Sequence, residues 1–243
     1  MSKFIEFLEL EELHQSFEDR KSNKSNKSFY VWNCPICKTE GIDILKGIRR
    51  CPDCGTQYKM GDTVEESIPD IDYVRDLNIM QAEIINRHLK KNSNILEIGC
   101  AYGDMLQFFK DRSHKVHGVD MVDFKRKEYD FDVFKVKLEN VTFDRESFDA
   151  IVMIHVIEHL SDPVRCMKKI RSWLKPNGKV FIFTNEADNF PTGCIIDLLQ
   201  QDTHKQLITE KGFRVLADKS DYKVAEFVHR WDYQIFTILE KRG

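Results

Sequence analysis

Asn94-Ile-Leu-Glu-Ile-Gly-Cys-Ala-Tyr-Gly-Asp104 decides how this 243-residue chain is read. Ile95, Leu96 and Ile98 form the short apolar run expected of a strand buried on both faces of a parallel sheet. Gly99 and Gly103 bracket a tight loop. Met105 to Asp111, with Leu106 and Phe109 on one side, then has the spacing of a helix packing back on that sheet. A chain turning from strand straight into helix needs torsions that a Cβ resists, and a ligand lying on the loop needs bare backbone.

Strand, glycine loop and helix also describe a dinucleotide site, so spacing has to discriminate. A pyrophosphate binder uses G-x-G-x-x-G, with a third glycine for close helix packing. Here two glycines stand four apart, with Ala101 between them and no third. The next strand, Lys115 to Val119, ends in Asp120, where an acid can accept both ribose hydroxyls of an adenosine. At these residues the chain resembles the class I S-adenosylmethionine (SAM)-dependent methyltransferases, whose first motif is an acid, an apolar residue and a relaxed G-x-G-x-G. Glu97-Ile98-Gly99-Cys100-Ala101-Tyr102-Gly103 matches it with Ala101 for the central glycine, a mild swap if φ there is negative. The resemblance implies SAM binding by Glu97, Gly99, Cys100, Ala101, Tyr102, Gly103, Asp120 and Met121. It also implies a Rossmann-like α/β sheet of seven strands in the order 3-2-1-4-5-7-6.

Composition bounds the rest. The length suits one α/β domain plus a small module. A net charge of −3 argues against wholesale coating of nucleic acid. No apolar window is long enough for a membrane helix, and the polar, acidic first twenty residues do not form a signal peptide. Seven cysteines, four of them in two C-x-x-C pairs, point to metal usage in a reducing compartment, so the chain reads as cytoplasmic.

Residues 1–28 read as an acidic amphipathic helix, docked on the domain or meeting a partner or second copy, followed by a polar linker. Residues 29–60 carry Cys34-Pro-Ile-Cys37 and Cys51-Pro-Asp-Cys54-Gly55, with thirteen residues between the pairs. Each pair is a turn that aims two thiolates at one point. Four sulfurs satisfy a tetrahedral Zn²⁺ with no open position, so the expected module is a structural zinc ribbon. Its strands are expected at Phe29–Trp32 and Ile48–Arg50. Iron uses the same knuckles. Residues 20–60 hold nine Lys/Arg against three acids, enough to meet a phosphate backbone or to balance the acidic first helix.

Residues 61–92 read as a lead-in, with a helix over Asn78–Lys91, and the methyltransferase-like domain as 93–243. Tyr73 and Arg75 are candidates for a borrowed pocket residue. A third strand is expected over Val133–Leu138. By resemblance its end holds the adenine, but Lys137 stands where an acid is usual, leaving Glu139 or apolar contacts near Leu138.

Phe148 to Ile154 reads as the fourth strand, ending in His155-Val-Ile-Glu158-His159-Leu-Ser-Asp-Pro163. In an open α/β sheet ligands lie outside the carboxyl ends of strands where the strand order switches. That places His155, Glu158 and His159 beside a methyl acceptor, with His155 also near the cofactor. Asp162 caps the following helix, Pro163 opens it, and Lys179–Thr184 is strand five. This stretch resembles the branch holding the ubiquinone-type O-methyltransferases and many sugar and metabolite methyltransferases. The final elements are expected as a helix over Thr203–Lys211 stopped by Gly212, then strands over Phe213–Leu216 and Trp231–Leu239.

Three function classes follow. One is O-methylation of a small metabolite, with His155 or His159 as base. The second is an RNA methyltransferase gripping RNA through the basic ribbon. The third is a SAM-binding subunit without turnover. Metal-dependent RNA 2′-O-methyltransferases use E-x-x-E-H and a later histidine, which His155-x-x-Glu158-His159 and His204 echo with a changed first ligand.

Overall fold

The computed structural model describes residues 33–45, 47–60, 72–122, 125–185, 187–188, 199, 204–230 and 234–242. The sequence readings over 1–28, the strand at Phe29–Trp32 and the expected helix start at Thr203 lie outside them.

Three short antiparallel strands come first: β1 (Ile42–Leu45), β2 (Ile48–Arg50) and β3 (Gln57–Lys59). Helix α1 (Asp72–Asn86) leads into β4 (Asn94–Ile98), α2 (Asp104–Lys110), β5 (Lys115–Asp120) and β6 (Val133–Lys135). Then come β7 (Phe148–Ile154), a single 3-10 turn at Ile157–His159, α3 (Pro163–Trp173) and β8 (Leu174–Asn185). The chain closes with β9 (Gln206–Leu207), α4 (Glu210–Lys219), β10 (Tyr222–His229) and β11 (Gln234–Lys241).

Seven strands form one sheet in the order β10-β11-β8-β7-β4-β5-β6. Numbered along the sheet's own strands this is the expected 3-2-1-4-5-7-6. β4 pairs parallel with β5 and β7, β7 pairs parallel with β8, and β11 runs antiparallel between β8 and β10. The strand period of two divides the apolar residues between two cores. Leu96, Ile98, Ile151, Met153, Val180 and Ile182 face Met167 and Ile170 of α3 and Phe213 and Leu216 of α4. Ile95, Ala150, Val152, Phe181 and Phe183 face Ala82 and Ile85 of α1 and Phe109 of α2. Both faces are covered, which is why the central strands are almost wholly apolar.

The end of the chain departs from expectation. Gly212 does not stop a helix; it lies in the first turn of α4, whose N-cap Thr209 accepts the Gly212 N–H at 3.0 Å. Phe213–Leu216 is therefore helical, and the strand lies at Tyr222–His229. The glycine serves packing: a Cβ there would meet Thr56 Oγ1 at 2.6 Å. The last strand spans Gln234–Lys241, with the expected start at Trp231 outside the described residues, and β6 ends at Lys135, short of Leu138.

β9 does not join the large sheet. It pairs antiparallel with β3, Tyr58 opposite Gln206, and completes a four-stranded sheet β1-β2-β3-β9 around the cysteines. Two stretches more than 140 residues apart in sequence thus build one sheet.

Candidate functional site

The strand-to-helix loop after β4 takes left-handed torsions at three alternate residues: Gly99 (φ 75°), Ala101 (φ 43°) and Gly103 (φ 80°). The condition under which Ala101 would be a mild swap, a negative φ, is therefore not met. Gly99 is also sterically required, since a Cβ would lie 2.4 Å from Val156 Cγ2. A left-handed torsion costs a residue with a Cβ about 1–2 kcal/mol, and glycine's extra unfolded-state entropy returns about 0.5–1 of that. Ala101→Gly is expected to stabilise the fold by up to about 1 kcal/mol, a rise of roughly 2–4 °C in Tm for a chain of this size. A thermal melt that is unchanged or lowered would count against strain at this position.

Asp120 at the tip of β5 holds the loop. Its carboxylate accepts the Ala101 N–H at 2.9 Å and the Val122 N–H at 3.1 Å. Glu97, near the carboxyl end of β4, is buried, and its Oε2 has no hydrogen-bond partner. Burial, then the charges of Asp120 and Asp104, raise its pKa well above the ordinary carboxyl value. A buried acid with an orphaned oxygen beside a glycine loop suits a cationic ligand group.

Asp104, the first residue of α2, is a member the sequence reading missed. It accepts from Arg126 Nε at 2.9 Å and from the Tyr129 hydroxyl at 2.6 Å, with Arg75 Nε 4.0 Å away. Burial and this bond push Tyr129 up to about 12. Arg126 also sits 5.3 Å from the Tyr102 ring centre, so the segment after β5 closes over the loop. Of the other expected cofactor residues, Cys100 is buried, Met121 is exposed, and Leu138 is packed in the core. The Leu138 and Glu139 carbonyls both accept from Lys169, at 3.1 and 2.7 Å.

At the carboxyl end of β7, beside β4, His155 adopts φ 51°. A bulky residue held in that region carries strain, a mark common to functional sites. Its Nδ1 lies 3.0 Å from Glu158 Oε1. Glu158 is buried, with Oε2 unpartnered. Burial acts to raise the Glu158 pKa, but the hydrogen bond with His155 and the charges of His155 and His159 outweigh it and lower it to about 2. The His159 and His204 rings stack with centroids 4.8 Å apart. Donor atoms of Glu158, His159 and His204 all lie within 4.8 Å of one another, a set that could hold a divalent ion. The structure thus brings His155, Glu158 and His159 together and adds His204 to them.

Cys34, Cys37, Cys51 and Cys54 converge, their sulfurs all within 4.8 Å of one another. Cys34 Sγ and Cys54 Sγ are 3.7 Å apart. Metal–sulfur bonds of about 2.3 Å in a tetrahedron put sulfurs roughly 3.8 Å apart, whereas a disulfide would bring them to about 2.05 Å. The Cys37 N–H points to Cys34 Sγ at 3.4 Å, as in a knuckle turn. The hydrogen bond between Cys34 and Cys54 lowers the pKa of Cys54 and raises that of Cys34.

Among the described residues, two of the surrounding cations form ion pairs. Arg49 lies against Asp43 at 2.7 Å and Glu40 at 3.8 Å, and Lys38 against Asp162 at 3.5 Å.

Comparison with known proteins agrees with this geometry. A family model described as a methyltransferase domain matches residues 74–226, more than half of the chain. The ubiquinone biosynthesis O-methyltransferase of Coxiella burnetii is 28% identical over 103 residues, covering 39% of this chain and 44% of that protein. The (S)-coclaurine N-methyltransferase of Papaver somniferum is 29% identical over 118 residues, covering 44% of this chain and 32% of that protein. The chain thus spans less than half the length of either relative. Among solved structures, a protein of Pyrococcus horikoshii superposes with a TM-score of 0.57 at 16% identity, covering 71% of this chain and 92% of that one. The 1,6-didemethyltoxoflavin-N1-methyltransferase of Burkholderia thailandensis gives a TM-score of 0.56 at 15% identity, covering 80% and 99%.

Proposed function

Because this chain belongs to the methyltransferase-domain family, we propose that it transfers a methyl group from SAM to a hydroxyl of a small metabolite. The carrying observation is the pairing of strained His155 with buried, ionised Glu158 at the end of β7. Curated relatives act on small molecules at oxygen or nitrogen, which agrees with the class without naming the acceptor.

The residues present fit the cofactor. Glu97 Oε2 is an orphaned buried oxygen suited to the α-ammonium group. The glycine loop leaves backbone bare for the methionine portion, and Asp120 keeps lone pairs for the ribose hydroxyls. Bound SAM supplies an electrophilic methyl carbon on a sulfonium. The protein's part is to align the acceptor, exclude water and remove a proton. His155 is the base: Glu158 takes the Nδ1 side, so the neutral ring accepts a proton at Nε2. Glu158 orients the ring and stabilises the imidazolium as it forms.

The four cysteines hold one structural Zn²⁺ in this reading. Elemental analysis of the purified protein should find about one zinc per chain bound by thiolates. Finding iron, or no metal, there would overturn the zinc assignment. The alternative is an RNA substrate held by the basic residues of 20–60, of which Arg49 and Lys38 are already engaged by acids. A direct test uses labelled SAM with metabolite extract and with total RNA. Label entering only RNA would refute the small-molecule reading.

A further inference from the structure

The cysteine sheet and the acceptor-side turn meet at β9, and the contacts run in one line. Tyr58 of β3 pairs with Gln206 of β9, and the Lys59 N–H donates to the Lys205 carbonyl at 3.0 Å. From β9 the Gln206 side-chain amide donates to the carbonyls of Ile157 at 2.8 Å and Leu160 at 3.2 Å. The Lys205 N–H donates to the Glu158 carbonyl at 2.9 Å. The 3-10 turn bearing Glu158 and His159 is therefore held at three carbonyls, those of residues 157, 158 and 160, by Gln206 of β9 and by Lys205 just before it. His204, immediately before them, stacks on His159.

The other side of β9 is fastened to the cysteines. Thr209 Oγ1 donates to the Cys54 carbonyl at 2.5 Å. A Cβ on Gly55 would come within 3.2 Å of Thr209 Cγ2, and one on Gly212 would strike Thr56. Tyr58 is buried beside the thiols, and Cys34, Ile36, Cys51 and Cys54 belong to the same apolar core as Ile157, Leu160 and Ile208.

A two-residue strand cannot hold its position by its own hydrogen bonds. It depends on β3, and β3 follows directly on the second cysteine knuckle. The turn at Ile157–His159 is equally short and takes its rigidity from what packs on it. The Rossmann-like half shares one core with the cysteine sheet, but it has a second core on the other face of its sheet, without residues of that module, and its own loop anchor at Asp120.

We infer that the four-cysteine sheet is a positioning element for methyl transfer: its bound ion holds β3, β3 holds β9, and Gln206 of β9 holds Glu158 and His159 in place. SAM binding is independent of that chain of contacts. The inference rests on the metal reading for the cysteines, and it assigns Gln206 a positioning role that the sequence did not suggest.

Amide hydrogen exchange on the full-length protein tests it without knowledge of the acceptor. Cys37→Ser removes one thiolate and leaves Glu158, His159 and His204 intact, while Gln206→Ala cuts the link but spares the cysteines. In both variants peptides covering 157–161 and 204–208 should exchange about tenfold faster, with peptides 94–98 and 150–154 within about twofold of wild type. Affinity for S-adenosylhomocysteine should be unchanged, and Gln206→Ala should retain its metal. Unchanged exchange at 157–161 in Gln206→Ala would overturn the coupling. So would loosening of 94–98 together with loss of S-adenosylhomocysteine binding in either variant, because the cysteine sheet would then support the whole fold. Wild-type protein lacking metal would instead refute the zinc reading, and Gln206→Ala would still decide the link through β9.

Discussion

Asp120→Ala should weaken S-adenosylhomocysteine binding by ten- to a hundredfold or more in calorimetry. The ribose hydroxyls lose a charged acceptor, which costs roughly 1.5–3 kcal/mol, or about one to two decades in Kd. The structure adds a second loss. The same carboxylate accepts the N–H groups of Ala101 and Val122 and so fixes the loop in which residues 99, 101 and 103 all take positive φ. Without it Ala101 has less reason to stay in a torsion it disfavours. Asp120→Asn separates the two contributions, since one amide oxygen can still accept a backbone N–H while the charge is gone. An Asp120→Ala protein that binds as tightly as wild type would remove Asp120 from the cofactor site.

The central architecture was legible because its sequence signals are redundant. β7 falls on the apolar run Phe148–Ile154 read from sequence, and α3 begins where Asp162 and Pro163 announce it, with the Arg165 N–H on Asp162 at 3.1 Å. Burial on both faces makes such strands apolar throughout, so neighbouring context hardly matters. The chain end was misread because Gly212 has two physical meanings. A glycine can terminate a helix through a positive φ, or it can let another segment approach closely. Here it does the second, against Thr56, a contact no local pattern encodes.

The site was half legible for the same reason. Glu97, Gly99, Gly103, Asp120 and the His155–His159 run lie at strand ends, where order in the chain fixes place in the fold. Asp104, Arg126 and Tyr129 come together through a segment with no periodicity, and Gln206 acts through a two-residue strand. The sign of φ at Ala101 and His155 is also invisible in sequence, since neither residue type demands it. Tertiary contacts impose those torsions from outside.

His155→Ala should lower kcat by roughly a hundred- to ten-thousandfold, the usual contribution of a positioned general base. S-adenosylhomocysteine affinity should stay near wild type, because Asp120 and the glycine loop lie on the cofactor side. His159→Ala should cost less, since the Glu158 contact belongs to His155. Glu158→Gln is the discriminating variant. It keeps the shape but removes the charge that holds the Nδ1 proton, so kcat should fall and the acidic limb of the rate profile should move to lower pH. The sign follows from electrostatics: removing a neighbouring carboxylate disfavours imidazolium and lowers the histidine pKa. Stability has its own pH signature. The folded pKa of Glu158, about 2, lies below the ordinary carboxyl value of about 4.3. Its contribution is therefore present above that ordinary value and lost as pH falls toward 2. Wild-type protein should consequently lose more stability on acidification than Glu158→Gln. If His155→Ala and His159→Ala reduce kcat equally and Glu158→Gln leaves the pH profile unmoved, the acid–base pair is wrongly assigned. The turn would then serve only to position the acceptor.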